Sequence, residues 1–427
     1  MGGRRCLESP LAWSGTGLLR RRPHDSVGIF SRSLTCAALR GPNKPNEHTR
    51  SGKSAGDLIS NTIQDDSDAF ISFSNVTKTY DGRSKVVDGL YLDIRTGEFL
   101  TLLGPSGSGK TTTLMMLAGF ETLTSGEIFL DGLPLSNKPP HLRNMGMVFQ
   151  NYALFPHMTV AENIAFPLEV RGVARAEIGK MVAKALDMVR LPNVGHRRPA
   201  QLSGGQQQRI ALARALVFEP RLVLMDEPLG ALDKQLREHM QYEIRALHQR
   251  LGVTVVYVTH DQTEALTMSD RIAVFDSGRV RQLADPKTVY QQPSDGFVAT
   301  FVGEGNRLDG MLSSIKDGQG QAVLADGTVI GVVPVDARPG EPGMIVVRPE
   351  HVRVAGPDEA MVNGLETTVE DVVFRGDRLI IRLRTRSGGE IIAHLNIDHT
   401  APAIGATVRA GFESGNARIY DKALMAG

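Results

Sequence analysis

The stretch Gly104-Pro105-Ser106-Gly107-Ser108-Gly109-Lys110-Thr111 fits the pattern G-x-x-x-x-G-K-[ST] and follows the strand-like run Glu98 to Leu103. Its glycines allow the backbone to curl so that successive N–H groups point at phosphate oxygens, and the helix expected from Lys110 offers its positive end to the same anion. Lys110 is expected to reach the β- and γ-phosphates of a nucleotide, with Thr112 beside it in the cradle, and the Thr111 hydroxyl to bind Mg²⁺. A second apolar strand, Leu222 to Met225, ends in Asp226 and Glu227. That is the strand edge where parallel sheets hold their ligands. Asp226 is suited to holding Mg²⁺ through water, and Glu227 to orienting or deprotonating the water that attacks the γ-phosphorus. His260 follows a third strand, Val253 to Val258. Taken alone it reads as a structural imidazole.

Ser203-Gly204-Gly205-Gln206 satisfies the capping-box pattern S-x-x-Q and opens a helix. Adjacent glycines weaken a helix start unless the backbone must approach something closely, and an exposed helix N-terminus is itself an anion site. The elements around these residues alternate. Runs rich in β-branched residues at Leu222 to Met225, Val253 to Val258 and Arg271 to Phe275 are each fed by a helix, which predicts a parallel sheet covered on both faces. Ile71 to Val76 alternates as a strand and leads to Tyr80, an aromatic before the Asp81-Gly82 turn. From 151 to about 205 the texture turns helical, with a run around Ala174 to Arg190. Beyond 300 helices give way to short alternating runs, predicting a small β-barrel or sandwich; Arg375-Gly-Asp377 falls in one of its turns.

In this order the motifs resemble one family, the ATP-binding subunits of ABC transporters, over residues 70–300. The resemblance implies a P-loop NTPase-type α/β nucleotide-binding domain with a helical insertion, followed by an all-β, OB-like TOBE domain over 301–427. It implies that Tyr80 stacks on adenine, that Gln150 senses Mg²⁺, water and the membrane partner, and that His260 is the switch histidine. Leu202 to Gln206 matches the LSGGQ signature, and Asp233 the D-loop; Gly230 stands where that loop often has Ser. The implied assembly is a head-to-tail homodimer in which Ser203 and Gly205 of one subunit close over the γ-phosphate held by the other. ATP and Mg²⁺ are the implied cofactors. The implied partners are two transmembrane permease subunits and a solute-binding protein, with no nucleic acid, and the implied location is peripheral, on the cytoplasmic face of the inner membrane. Val347-Arg-Pro-Glu350 resembles a segment of importers with a TOBE tail. Asp226 to Asp233 and His260-Asp-Gln fit the polyamine-type branch, though iron, sulfate and sugar importers use similar motifs. The competing reading is a soluble ABC ATPase whose β-domain binds nucleic acid; it predicts basic, aromatic strands past 300, and aromatics there are few.

Composition sets the frame. The 427 residues, 41% hydrophobic, suffice for two or three cores, and a formal net charge of +1 demands no nucleic-acid partner. The sequence holds no apolar run of the roughly 18 residues that a membrane helix needs. Two cysteines, Cys6 and Cys36, offer neither a disulfide framework nor a thiolate metal cluster. Residues 1–53 carry ten Lys or Arg against three Asp or Glu without periodicity, so disorder is expected over 1–69, as an extension resembling a transit peptide or as an over-extended start. The surface around Tyr152, Leu154, Phe155 and Pro156 is expected to dock a helix of the membrane subunits.

Overall fold

A computed structural model describes residues 69–423. The expected disordered segment therefore lies outside the described residues, apart from Ala69, which begins a strand.

The first two strands, β1 (Ala69–Thr79) and β2 (Lys85–Arg95), pair antiparallel. Between β1 and β2 the Asp81 carboxylate accepts from the N–H groups of Arg83 and Ser84, which holds its pKa down at about 2. β3 (Phe99–Leu103) is buried along its whole length and feeds the glycine loop and helix α1 (Lys110–Ala118). Then come β4 (Ser125–Leu130), the short β5 (Leu133–Pro134) and β6 (Gly146–Val148). The sheet β2-β1-β4-β5 is a separate antiparallel layer. The sequence suggested strand character at Glu127 to Leu130 without showing this pairing, because nothing local says which sheet a strand joins.

The helical insertion comprises α2 (Val160–Val170), α3 (Arg175–Met188) and α4 (Gly204–Leu216). Thr159 and Glu162 form a capping box at the start of α2, and Pro167 lies inside that helix. The buried Asn163 side chain bonds both the N–H and the carbonyl of Phe155, at 2.8 and 3.1 Å, and so fixes the segment before α2. Here one expectation needs correction. Tyr152 is no docking surface: it is 6% exposed and packs with Val148, Leu212 and Leu229. Phe155 is half-buried and meets Phe166 at 4.8 Å between ring centroids, while Pro156 is exposed.

Chain order continues with β7 (Leu222–Asp226), α5 (Lys234–Leu251), β8 (Thr254–Thr259), α6 (Gln262–Met268), β9 (Arg271–Asp276), β10 (Arg279–Ala284), α7 (Pro286–Gln291) and α8 (Gly296–Phe301). The main sheet has the order β10-β9-β3-β8-β7-β6. All its pairs are parallel except β9 with β10. Its register sets Leu103 beside Thr259 and Asp226 beside Val258. The chain therefore leaves three neighbouring strands at one edge, at the glycine loop, at Glu227 and at His260.

Strands β11 (Asn306–Lys316), β12 (Gln319–Leu324), β13 (Val329–Pro334) and β14 (Pro342–Val347) begin the tail. They are followed by β15 (Arg353–Ala355), β16 (Leu365–Phe374), β17 (Leu379–Thr385), β18 (Glu390–Leu395), β19 (Thr407–Gly411) and β20 (Ala417–Asp421). The tail is both a closed barrel, β11-β12-β13-β20-β14, and a five-stranded sheet, β15-β19-β16-β17-β18. One hydrophobic cluster joins them, with Leu308, Ile345 and Ile419 on the barrel and Val369, Ile381 and Ile391 on the sheet. Asn306 pins the two together by exchanging hydrogen bonds of 2.8 and 2.7 Å with the backbone of Ile392. Among the described residues no helix is long and apolar enough to cross a membrane.

Candidate functional site

The glycine loop has the backbone its sequence calls for. Gly107 and Gly109 adopt φ of +80° and +98°, and a Cβ on Gly109 would come within 2.5 Å of the Val86 carbonyl oxygen. A Cβ on Gly104 would come within 2.3 Å of the carbonyl of Phe275. α1 has no side-chain cap and no acidic residue in its first turn, so its N–H groups keep their capacity for an anion. Lys110 is buried, and its ammonium donates to Pro105 O at 2.7 Å and Ser108 Oγ at 3.3 Å. Ser106 and Thr111 are exposed and Thr112 is half-buried.

Six of the expected residues converge from four segments. Thr111 Oγ1 donates to Asp226 Oδ1 at 3.0 Å. Gln150 Nε2 donates to Glu227 Oε2 at 3.3 Å, and His260 Nδ1 lies 3.0 Å from Glu227 Oε1. Burial lowers the Lys110 pKa, against the attraction of Glu227 and Asp226. Burial likewise raises that of Asp226, against the Thr111 hydrogen bond. Glu227 holds a φ of 42°, a left-handed backbone unusual for a residue with a side chain. Such a conformation costs about 1–3 kcal/mol and persists where the surroundings over-determine it. Its N–H donates to Val258 O at 3.0 Å, which ties this strained turn to β8.

Other expected residues stand apart from that cluster. Tyr80 is 62% exposed, with the Lys78 ammonium 4.8 Å from its ring centroid. Ser203 is exposed and caps α4, its Oγ accepting from Gln206 N at 3.3 Å while Gln206 Oε1 accepts from Ser203 N at 3.0 Å. Gly204 is exposed, whereas Gly205 is buried, and a Cβ there would meet Leu236 of α5 at 2.9 Å. The second glycine thus also packs within the chain, where a Cβ would have to displace the end of the Leu236 side chain. Asp233 is exposed and caps α5, accepting from Leu236 N at 2.9 Å.

Arg214 and Glu264, in the surroundings of this cluster, carried no sequence signal. Tyr152 and Ala153, just after Gln150, both have positive φ, 61° and 47°. Arg214 of α4 donates to their two carbonyls at 2.7 Å each, so the helix begun by Ser203 holds the turn that follows Gln150. Beneath His260, the buried Glu264 carboxylate accepts from Tyr257 Oη and Thr259 Oγ1, each at 2.7 Å. Burial raises its pKa, and the two hydroxyls oppose that.

A glycine loop, a strand-end carboxylate pair and a histidine on adjoining strands of a parallel sheet define a P-loop nucleotide-hydrolysing fold. Comparison with known proteins agrees. Residues 87–230 match the ABC transporter family and residues 345–419 the TOBE domain family. A spermidine/putrescine import ATP-binding protein, PotA, of Rubrobacter xylanophilus is 48% identical, over 78% of this chain and 88% of its own. The corresponding protein of Acidothermus cellulolyticus is 46% identical, over 79% and 89%. The uncharacterized ABC transporter ATP-binding protein YdcT of Escherichia coli is 44% identical, over 80% and 93%. The chain belongs to the ATP-binding subunits of ABC transporters, a family whose activity is ATP hydrolysis coupled to transport.

Proposed function

We propose that this chain powers import of a polyamine-class organic cation, working as a homodimer beneath two membrane permease subunits, on the cytoplasmic face, with a separate solute-binding protein. The observation that carries the solute class is the extent of the likeness. The spermidine/putrescine relatives align across both the nucleotide domain and the β-rich tail, 88% of their length in the first case.

At the site, residues 104–112 cradle the phosphates and Tyr80 stacks on the adenine. Glu227 accepts the proton of the attacking water, while His260 and Gln150 hold that carboxylate and the water in line. Ser203, Gly204, Gly205, Gln206 and Asp233 complete the partner's site. Thr111 and Asp226 put a hydroxyl and a carboxylate oxygen 3.0 Å apart, a hard-oxygen donor pair that suits Mg²⁺. The ion, when bound, neutralises charge on the transferring phosphoryl group. Phe155 and Pro156, beside Gln150, are the residues offered to a permease helix.

The test is uptake into proteoliposomes holding the chain with its cognate permeases and binding protein. ATP-dependent accumulation of labelled putrescine or spermidine, with none of sulfate, ferric iron or maltose, is expected. Uptake of another solute class with no polyamine uptake overturns the assignment.

A further inference from the structure

Between the segment that ends α7 and the C-terminal barrel lies a cavity of about 240 Å³, and its charged lining is all of one sign. Arg348, at the end of β14, is only 6% exposed. Its guanidinium donates to the carbonyls of Glu304 at 3.0 Å and Tyr290 at 3.2 Å and lies over the Tyr290 ring, 4.5 Å from the centroid. Arg418, on β20, donates to Gln291 O at 3.1 Å. Neither makes an ion pair with a carboxylate among the described residues. The nearby Glu350 is occupied by Tyr290 Oη at 2.7 Å and does not line the cavity. His351 lines it too, and its buried Nδ1 has no hydrogen-bond partner. Asn416 and Tyr420 belong to the same wall, the Tyr420 hydroxyl donating to Pro293 O at 3.3 Å.

A buried guanidinium without a carboxylate in direct contact is a costly arrangement. Carbonyls satisfy some of its N–H groups, and Glu350, outside the cavity, attracts its charge only from beyond ion-pair distance. Two arginines and a histidine converging on one small cavity make the arrangement that recognises a compact oxyanion through charge-assisted hydrogen bonds. A cavity of this size has room for a phosphate group with a small substituent.

We infer that this junction cavity binds a small phosphate-type oxyanion, inorganic phosphate or a short phosphate ester, between Arg348, Arg418 and His351. The same two guanidinia hold the carbonyls of Tyr290 and Gln291, so the anion neutralises the charges that fasten the end of α7 to the barrel. Occupancy therefore stiffens the junction between the nucleotide domain and the tail. The inference stands on the junction alone and does not depend on which solute is carried.

The experiment uses the full chain saturated with a non-hydrolysable ATP analogue, so that the glycine loop is filled, and equilibrium dialysis against radiolabelled inorganic phosphate. One phosphate per chain is expected to bind saturably with Kd below about 1 mM. Arg418→Gln and, separately, His351→Ala should each weaken it about tenfold or more, while Arg353→Gln, exposed and outside the cavity, leaves it unchanged. Hydrogen exchange at residues 286–293 should slow with phosphate in the unaltered chain and not in Arg418→Gln. Competition by glycerol 3-phosphate at lower concentration than phosphate assigns the site to an ester, and the reverse order to the free ion. Absence of saturable binding, or equal binding by both variants with their folds intact, overturns the inference.

Discussion

Glu227 meets two demands, since its backbone stays in a strained left-handed turn while, in the proposed mechanism, its carboxylate faces the nucleotide. The Val258 carbonyl fixes the former, and Gln150 and His260 hold the latter between them. A side chain held at both oxygens is aimed before any substrate arrives, which is where positioning contributes to rate. Glu227→Gln keeps the shape and the acceptor for Gln150 but removes the base. ATP affinity should change less than about threefold while turnover falls by about 10²-fold or more, read from nucleotide titration and steady-state hydrolysis. Turnover near that of the unaltered chain would move the base elsewhere. The Asp226-Glu227 pair is legible in the sequence because both residues end one apolar run. The clasp around Glu227 is not, since its two partners come from distant segments.

At the scale of elements, α6 holds the strand end that presents His260. Its Glu264 carboxylate binds the hydroxyls of Tyr257 and Thr259 inside the protein, where burial disfavours the charged form. The sign follows from linkage. With its pKa raised above the ordinary 4.5, the folded chain holds more protons than the unfolded one in the window above 4.5. This group therefore subtracts stability as pH rises through that window. Glu264→Gln still offers an oxygen to both hydroxyls without a charge. Urea melts should show the unaltered chain losing stability between pH 4.5 and neutrality relative to the variant, and the variant at least as stable at pH 7. A variant markedly less stable at pH 7 would mean that the ionised carboxylate is itself stabilising.

Across the whole molecule, the cradle at Lys110 and the capped start of α4 are two separate features suited to anions, and among the described residues no hydrogen bond or ion pair joins them. The proposed head-to-tail dimer gives each its nucleotide. Because Gly205 is packed on Leu236, the interface is better probed at Gly204, where a Cβ meets Leu232 at an ordinary 3.4 Å. Gly204→Asp should leave ATP binding intact and abolish hydrolysis by repelling the partner's phosphates. Mixed with Lys110→Ala subunits, it should regain part of the activity, since one composite site in the mixed dimer carries both lesions and the other neither. Full hydrolysis by Gly204→Asp alone, independent of protein concentration, would discard the composite site.

Features whose cause is local could be read from the amino-acid order. The glycine loop is legible because its turns need residues free to take positive φ and its lysine follows at fixed spacing. β7 and β8 are legible because strands buried on both faces must be apolar throughout, which leaves the polar residues after them, Glu227 and His260, at the sheet edge. What tertiary structure alone decided are pairings between distant segments. β20 closes the barrel by joining β13 and β14, which no property of Ala417 to Asp421 announces. Tyr152 goes to the core although its neighbours Ala153 and Pro156 are exposed, because apolar residues of α4 and the sheet, Leu212 and Val148 among them, gather around it there. Arg214, Glu264 and Arg348 acquire their roles from carbonyls, hydroxyls and a cavity supplied by other elements. Periodicity reports which face of a segment is buried, and only the packed chain decides which polar groups meet beneath it.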